Sequence, residues 1–181
     1  MATLRPFRDY DEKDVINLFS LQTGATLPVL KGIMVKLHTT GWQSDQELSL
    51  LGDVGTSVTN VTSQRYGVAA NVDICGSGDT PLGMLLHDVR STDENGELLK
   101  FNPRKAAEIE AVIEGQAVPI VTRGIFLMKD IDGPPTVGAK LYAAASGEIT
   151  TTTGSNVEIG IALGAETNDE TLILLDINRH D

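Results

Sequence analysis

The sequence predicts a mainly β protein, a small barrel or sandwich with an extended N-terminal arm and at most one or two short helices. Three observations carry this. From Glu114 onward the chain runs as short apolar stretches rich in Val, Ile, Leu and Thr, each closed by Gly, Pro, Asp or Asn; that is the punctuation of strands and turns. The chain holds 18 glycines, which suits many tight turns. It shows no internal repeat, no coiled-coil heptad and no long block of charge.

The elements follow in order. Residues 1–30 read as an arm. Arg5, Pro6, Phe7, Arg8, Asp9 and Tyr10 form a polar and aromatic stretch whose proline discourages regular pairing. Asp11 or Asp14 is placed to cap one helical turn before Val15–Phe19. Residues 21–26 (LQTGAT) are loop-like, and an N-terminal strand of the main domain is the competing reading of this region. Residues 30–37 (LKGIMVKL) alternate as a strand, and a polar loop is expected over 43–64. Residues 66–74 (YGVAANVDI) and 81–89 (PLGMLLHDV) are further strands, the second buried, with a turn at 76–79 between them. Asn95-Gly96 is the strongest hairpin signal, because both residues tolerate the positive φ angles of a type I′ turn. Asn102-Pro103 is a helix start, with a capping residue before a proline at the first helical position. Alternation at Ile109, Ala111 and Ile113 predicts that this helical turn gives way to a strand near Glu108. Pro119 and Gly124 then mark 118–128 as a broken or edge strand, open to pairing with another chain.

Composition narrows the function. At 181 residues the chain suits one domain, or one domain with an arm or large insertion. A hydrophobic fraction of 41% supports a real core, and 4% aromatic residues make that core aliphatic. The formal net charge is −11 and the pI about 4.6. A field of that sign repels phosphate backbones and anionic lipid, so direct nucleic-acid and membrane partners are not expected. A single cysteine, Cys75, forms no internal disulfide and fits folding in a reducing cytoplasm. The N-terminus lacks the apolar core of a signal peptide, and no stretch approaches a membrane span of ~20 apolar residues.

Candidate chemistry is sparse. Cys75-Gly76-Ser77-Gly78-Asp79-Thr80 offers two glycines that expose backbone N–H groups and two potential nucleophiles. Pro81 and Gly83 oppose a following helix, and the flanks match neither a phosphate loop nor a nucleophile elbow, so a structural turn is the favoured reading. His38, His87 and His180 lack the close spacing of metal ligands. Asp93-Glu94-Asn95-Gly96-Glu97 has the acidic density of a calcium loop but not its 12-residue register. Arg123, beside Gly124, is a candidate contact residue whose simpler role is a solvated charge. No catalytic, cofactor or metal-binding residue is assigned.

The C-terminal pattern resembles a family. Gly115 to Phe126 (GQAVPIVTRGIF), Val137 to Tyr142 (VGAKLY), Gly147 to Thr153 (GEITTTT) and Ile159 to Leu163 (IGIAL) are similar to the small β-barrel head-decoration proteins of tailed bacteriophages. The resemblance covers roughly residues 100–181; the arm and residues 75–97 look like longer virion structural proteins of large phages. It implies a β-tulip-like barrel over 101–181, with 31–100 either an elaboration of that barrel or a second small β subdomain. It implies a non-catalytic cement protein, without cofactor, made in the host cytoplasm and bound as a homotrimer to the major capsid protein on the capsid exterior. On this reading the arm, residues 1–30, supplies capsid contacts through Arg5, Pro6, Phe7, Arg8 and Tyr10. Two alternatives stay open: a trimeric β-barrel enzyme using the Cys75–Thr80 loop, and a head-fibre or tail interaction module.

Overall fold

The computed structural model describes residues 5–6, 14–22, 24–39, 41 and 70–177. It is mainly β, with a half-barrel curl, consistent with a small β-barrel or sandwich. The strands are β1 (Arg5–Pro6), β2 (Val15–Ile16), β3 (Ser20–Leu21), β4 (Met34–Leu37), β5 (Asn71–Ile74), β6 (Gly83–Leu85), β7 (Asp88–Val89), β8 (Ala111–Val112), β9 (Ile120–Val121), β10 (Arg123–Lys129), β11 (Lys140–Ala143), β12 (Ile149–Thr150), β13 (Val157–Ala162) and β14 (Glu170–Asp176). One helix, α1 (Pro103–Glu108), precedes β8. The expected strand over 66–74 is β5, with 66–69 outside the described residues, as is the whole loop expected over 43–64.

Two six-stranded sheets carry the fold. The long sheet runs β1-β10-β14-β13-β11-β12 and the short sheet β2-β9-β6-β4-β5-β3; β7 and β8 form a separate parallel pair. The main core lies between the sheets: Met34, Cys75, Met84 and Val121 from the short-sheet side meet Phe126, Met128, Leu141, Ile159, Ile173 and Leu175 from the long sheet. The opposite face of the short sheet is buried too. Val35, Val72, Leu85 and Ile120 pack there with Phe19, Leu21, Val29 and Val118. Burial on both faces explains the apolar start, PLGMLL, of the run expected as one strand over 81–89. That run is not one strand, however: β6 joins the short sheet, and β7 turns off to pair with β8.

The break predicted near Pro119 and Gly124 is real, but it is not a free edge. The chain crosses from the short sheet to the long sheet at Thr122, between β9 and β10. The Thr122 N–H donates to the Asp14 carbonyl at 2.8 Å, and the Ile177 N–H donates to the Thr122 carbonyl at 3.1 Å. Such a switch forms a sandwich corner. Both halves of the run are paired on both sides: β9 between β2 and β6, β10 between β1 and β14.

Two local readings resolve differently. Asn102 caps α1 as expected, its side chain accepting the Lys105 N–H at 3.2 Å, and the strand that follows begins at Ala111. The type I′ hairpin turn is not at Asn95-Gly96. Only Gly96 takes a positive φ there, +85°, and Asp93 pairs with Glu97 across a three-residue loop. That is the alternative hairpin with a left-handed glycine. The I′ geometry occurs at Asn168 (φ +55°) and Asp169 (φ +60°), joining β13 to β14. The short polar side chains of Asn and Asp tolerate this region without glycine.

Candidate functional site

The N-terminal strands β1 and β2 lie along the two halves of the crossing strand, β10 and β9. β1 lies antiparallel to β10, with Arg5 opposite Leu127 and Pro6 opposite Phe126. β2 lies antiparallel to β9, with Val15 opposite Val121 and Ile16 opposite Ile120. Of the five predicted contact positions, Arg5 and Pro6 therefore sit at the edge of the long sheet. Phe7, Arg8 and Tyr10 lie outside the described residues. A two-residue strand containing proline is a blunt edge, which discourages indiscriminate strand addition.

The Cys75–Thr80 segment is a structural turn. Cys75 is buried, and burial pushes its thiol up to about 12, so the nucleophilic thiolate is not populated at neutral pH. The Asp79 carboxylate accepts the Gly76 N–H at 2.6 Å and the Lys36 ammonium at 2.7 Å. The Lys36 hydrogen bond, then the Gly76 N–H, hold Asp79 below its ordinary value. Ser77 is also spent on structure: its hydroxyl donates to Asn156 Oδ1 at 2.7 Å, tying the turn to the loop before β13.

Of the remaining candidates, His38, Asp93 and Arg123 have partners within the described residues. His38 Nδ1 is 2.9 Å from Asp73 Oδ2. His87 is half-buried and held below the usual imidazole value by desolvation. His180 lies outside the described residues. Asp93 Oδ1 accepts the N–H groups of Asn95 and Glu97, each at 2.8 Å; backbone donors fill the place a cation would take. Arg123 Nε lies 3.8 Å from Asp176 Oδ1 across β10 and β14. Among the described residues, no three His, Cys, Asp or Glu side chains gather as a metal site. No described helix is long and apolar enough to cross a membrane.

Reasoning from the sequence missed the outward face of the long sheet. Ile125 stands opposite Leu174, Leu127 opposite Leu172, and Ile161 opposite Leu174, while the inward face takes Phe126, Ile173 and Leu175. The signal was present as a failure of alternation: GIFLM in β10 and TLILL in β14 are apolar at every position but the ends.

Residues 106–177 match the phage cement protein family. The matched segment begins within α1 and runs through β14. It includes the crossing strand and all of the long sheet except β1. The match supports the resemblance read from the strand and turn pattern: over these residues the chain is similar to phage capsid cement proteins. The match supports a capsid-associated structural role and a phage virion setting. Searches of curated proteins and of solved structures return no match.

Proposed function

We propose that this protein binds the outer surface of an assembled phage capsid, through the major capsid protein, and cements the shell as a non-catalytic homo-oligomer, a trimer in the simplest case. The observation that carries this reading is the coincidence of the cement-family match with the long sheet. The physics is compatible. A chain of net charge −11 stays soluble and gains nothing from packaged DNA. A β sandwich works through extended surface, and a lattice of capsid sites multiplies modest contacts by avidity.

In this proposal the segment around β1 makes part of the capsid contact, through Arg5, Pro6, Phe7, Arg8 and Tyr10. A short proline-containing segment at a sheet edge would meet the partner through these side chains rather than by adding a strand. Two experiments test it. Electron microscopy of particles with and without the protein should show added density outside the shell at threefold positions; density confined to the tail would sink the cement reading in favour of a tail module. Replacing Phe7→Ala, Arg8→Ala and Tyr10→Ala together should weaken cosedimentation with capsids at least about tenfold, the loss of ~1.4 kcal/mol. Unchanged decoration would remove the N-terminal segment from the contact. Deleting residues 1–30 is a poorer test, because Phe19 and Leu21 belong to the core.

A further inference from the structure

We infer that the outward face of the long sheet is the surface through which copies of this chain pack on one another. The inference rests on the homo-oligomeric cement reading and assigns the interface within it.

The face has an apolar centre. Ile125, Leu127, Ile161, Leu172 and Leu174, each half-buried, lie on this face of its middle strands. Leu163, 39% exposed, extends the patch beside Leu172, to whose carbonyl its N–H donates at 2.8 Å. An antiparallel sheet with one face in water alternates apolar with polar residues. Here the outward positions are aliphatic, and none of these six is charged.

The rim decides the occupant. Arg123–Asp176 (3.8 Å) closes one end, Lys129–Glu170 (3.3 Å) the other, and Lys140–Glu158 (2.7 Å) the β11–β13 side. In these three ion pairs each cation is matched by an anion, so the rim pairs add no net charge to this face of a chain of net charge −11. Two copies repel one another across an average part of their surface. Across this face they meet without net repulsion and remove aliphatic surface from water. Nucleic acid and anionic lipid find no excess of positive charge there. An aliphatic centre also suits the more apolar composition of homo-oligomer interfaces.

The test is sedimentation velocity of the full chain between about 1 and 100 µM, the range in which modest self-association is measurable. The wild type should associate. The variant Leu127→Lys with Leu172→Glu places opposite charges at a cross-strand pair, which preserves β10–β14 pairing. It should raise the dissociation constant at least about tenfold, ~1.4 kcal/mol, with an unchanged circular dichroism spectrum. Phe101→Glu, at an exposed aromatic in the turn before α1, should leave association as in the wild type. If the charged pair fails to fold, Leu127→Thr with Leu172→Thr keeps strand propensity and makes the same measurement. A wild type that stays monomeric, or a variant that associates as tightly, overturns the inference. A monomeric wild type whose variant also loses thermal stability overturns it in favour of coverage by the chain's own residues. Capsid cosedimentation is read separately: a monomer that still decorates leaves the cement reading standing.

Discussion

The two sheets use the same aliphatic alphabet to different ends. The short sheet is built from strands of two to four residues and is buried on both faces, by the long sheet on one side and by Phe19, Leu21, Val29 and Val118 on the other. Its continuous apolar runs are fully explained by its own chain. The long sheet has seven-residue strands in β10 and β14. One face is covered by the short sheet and the other faces outward, yet both are aliphatic. An apolar position is therefore not evidence of burial by itself; what matters is whether an element of the same chain lies over it. In the short sheet the remainder is small, chiefly Leu37 at the end of β4, 48% exposed; in the long sheet it is a contiguous patch of half-buried aliphatic side chains.

The sharpest way to break this comparison is within β10. Phe126 is fully buried between the sheets, and Phe126→Ala should cost about 3–5 kcal/mol in denaturant unfolding, a large part of a typical domain's stability. Leu127 is its outward neighbour, so Leu127→Ala, measured at a concentration where the chain is monomeric, should cost far less. Equal costs would mean that the outward face is as covered as the inward one, and the contrast between the sheets would fail.

Next in size is Gly160→Ala. Gly160 in β13 sits so close to β14 that a Cβ would run into the Leu174 carbonyl oxygen, a backbone atom that cannot swing aside. The strands must separate or twist, at roughly 1–3 kcal/mol. The midpoint of urea unfolding checks it. A neutral result would show that β13–β14 pairing tolerates more separation than a continuous sheet should.

Much of the long sheet was legible because its strands are long. Val157–Ala162 and Glu170–Asp176 hold enough consecutive β-branched and aliphatic residues, bounded by polar turns, to be read one chain segment at a time. The short sheet was legible only in part. A two-residue strand such as Val15–Ile16 has no period to detect, and its existence depends on Ile120–Val121, more than a hundred residues away. The split of 81–89 into two sheets was hidden for the same reason: nothing local distinguishes a strand that continues from one that departs at Leu86–His87. The turns failed differently. Asn-Gly is the better type I′ pair by propensity, but the geometry went to Asn168-Asp169, where two long strands demand it. At the candidate site, Arg5 and Pro6 were picked for composition, while the aliphatic outward face was overlooked because its residues look like core.

A smaller effect tests the helix that links β7 to β8. Asn102→Ala removes the side-chain acceptor for the Lys105 N–H and should cost about 1 kcal/mol, the usual value of an N-cap. Leu99, Ala106 and Ala111 pack as a satellite cluster around this helix, apart from the main core. The loss should therefore appear as faster amide exchange in 99–112 with little change in the sheets. Uniformly faster exchange throughout would make the satellite part of one cooperative unit.

The smallest effect is a pH dependence confined to the short-sheet half. His87 follows β6 and is half-buried, and desolvation outweighs the attraction of Glu110 to hold its folded value below the ordinary 6.5. A base whose folded value is depressed binds fewer protons folded than unfolded. Its contribution is therefore complete above 6.5 and falls away as the pH drops through the lower folded value. Thermal unfolding between pH 7.5 and about 5 should show the wild type losing stability toward the acid end, with a slope of at most one proton. His87→Gln, which cannot protonate, should flatten that slope while leaving the neutral-pH midpoint nearly unchanged. The carboxylates act in a separate window: Asp93, held below its ordinary 3.8 chiefly by the Glu97 N–H, loses its stabilising charge only as the pH falls below that value. A slope between pH 7.5 and 5 that survives His87→Gln would place the sensitive group elsewhere.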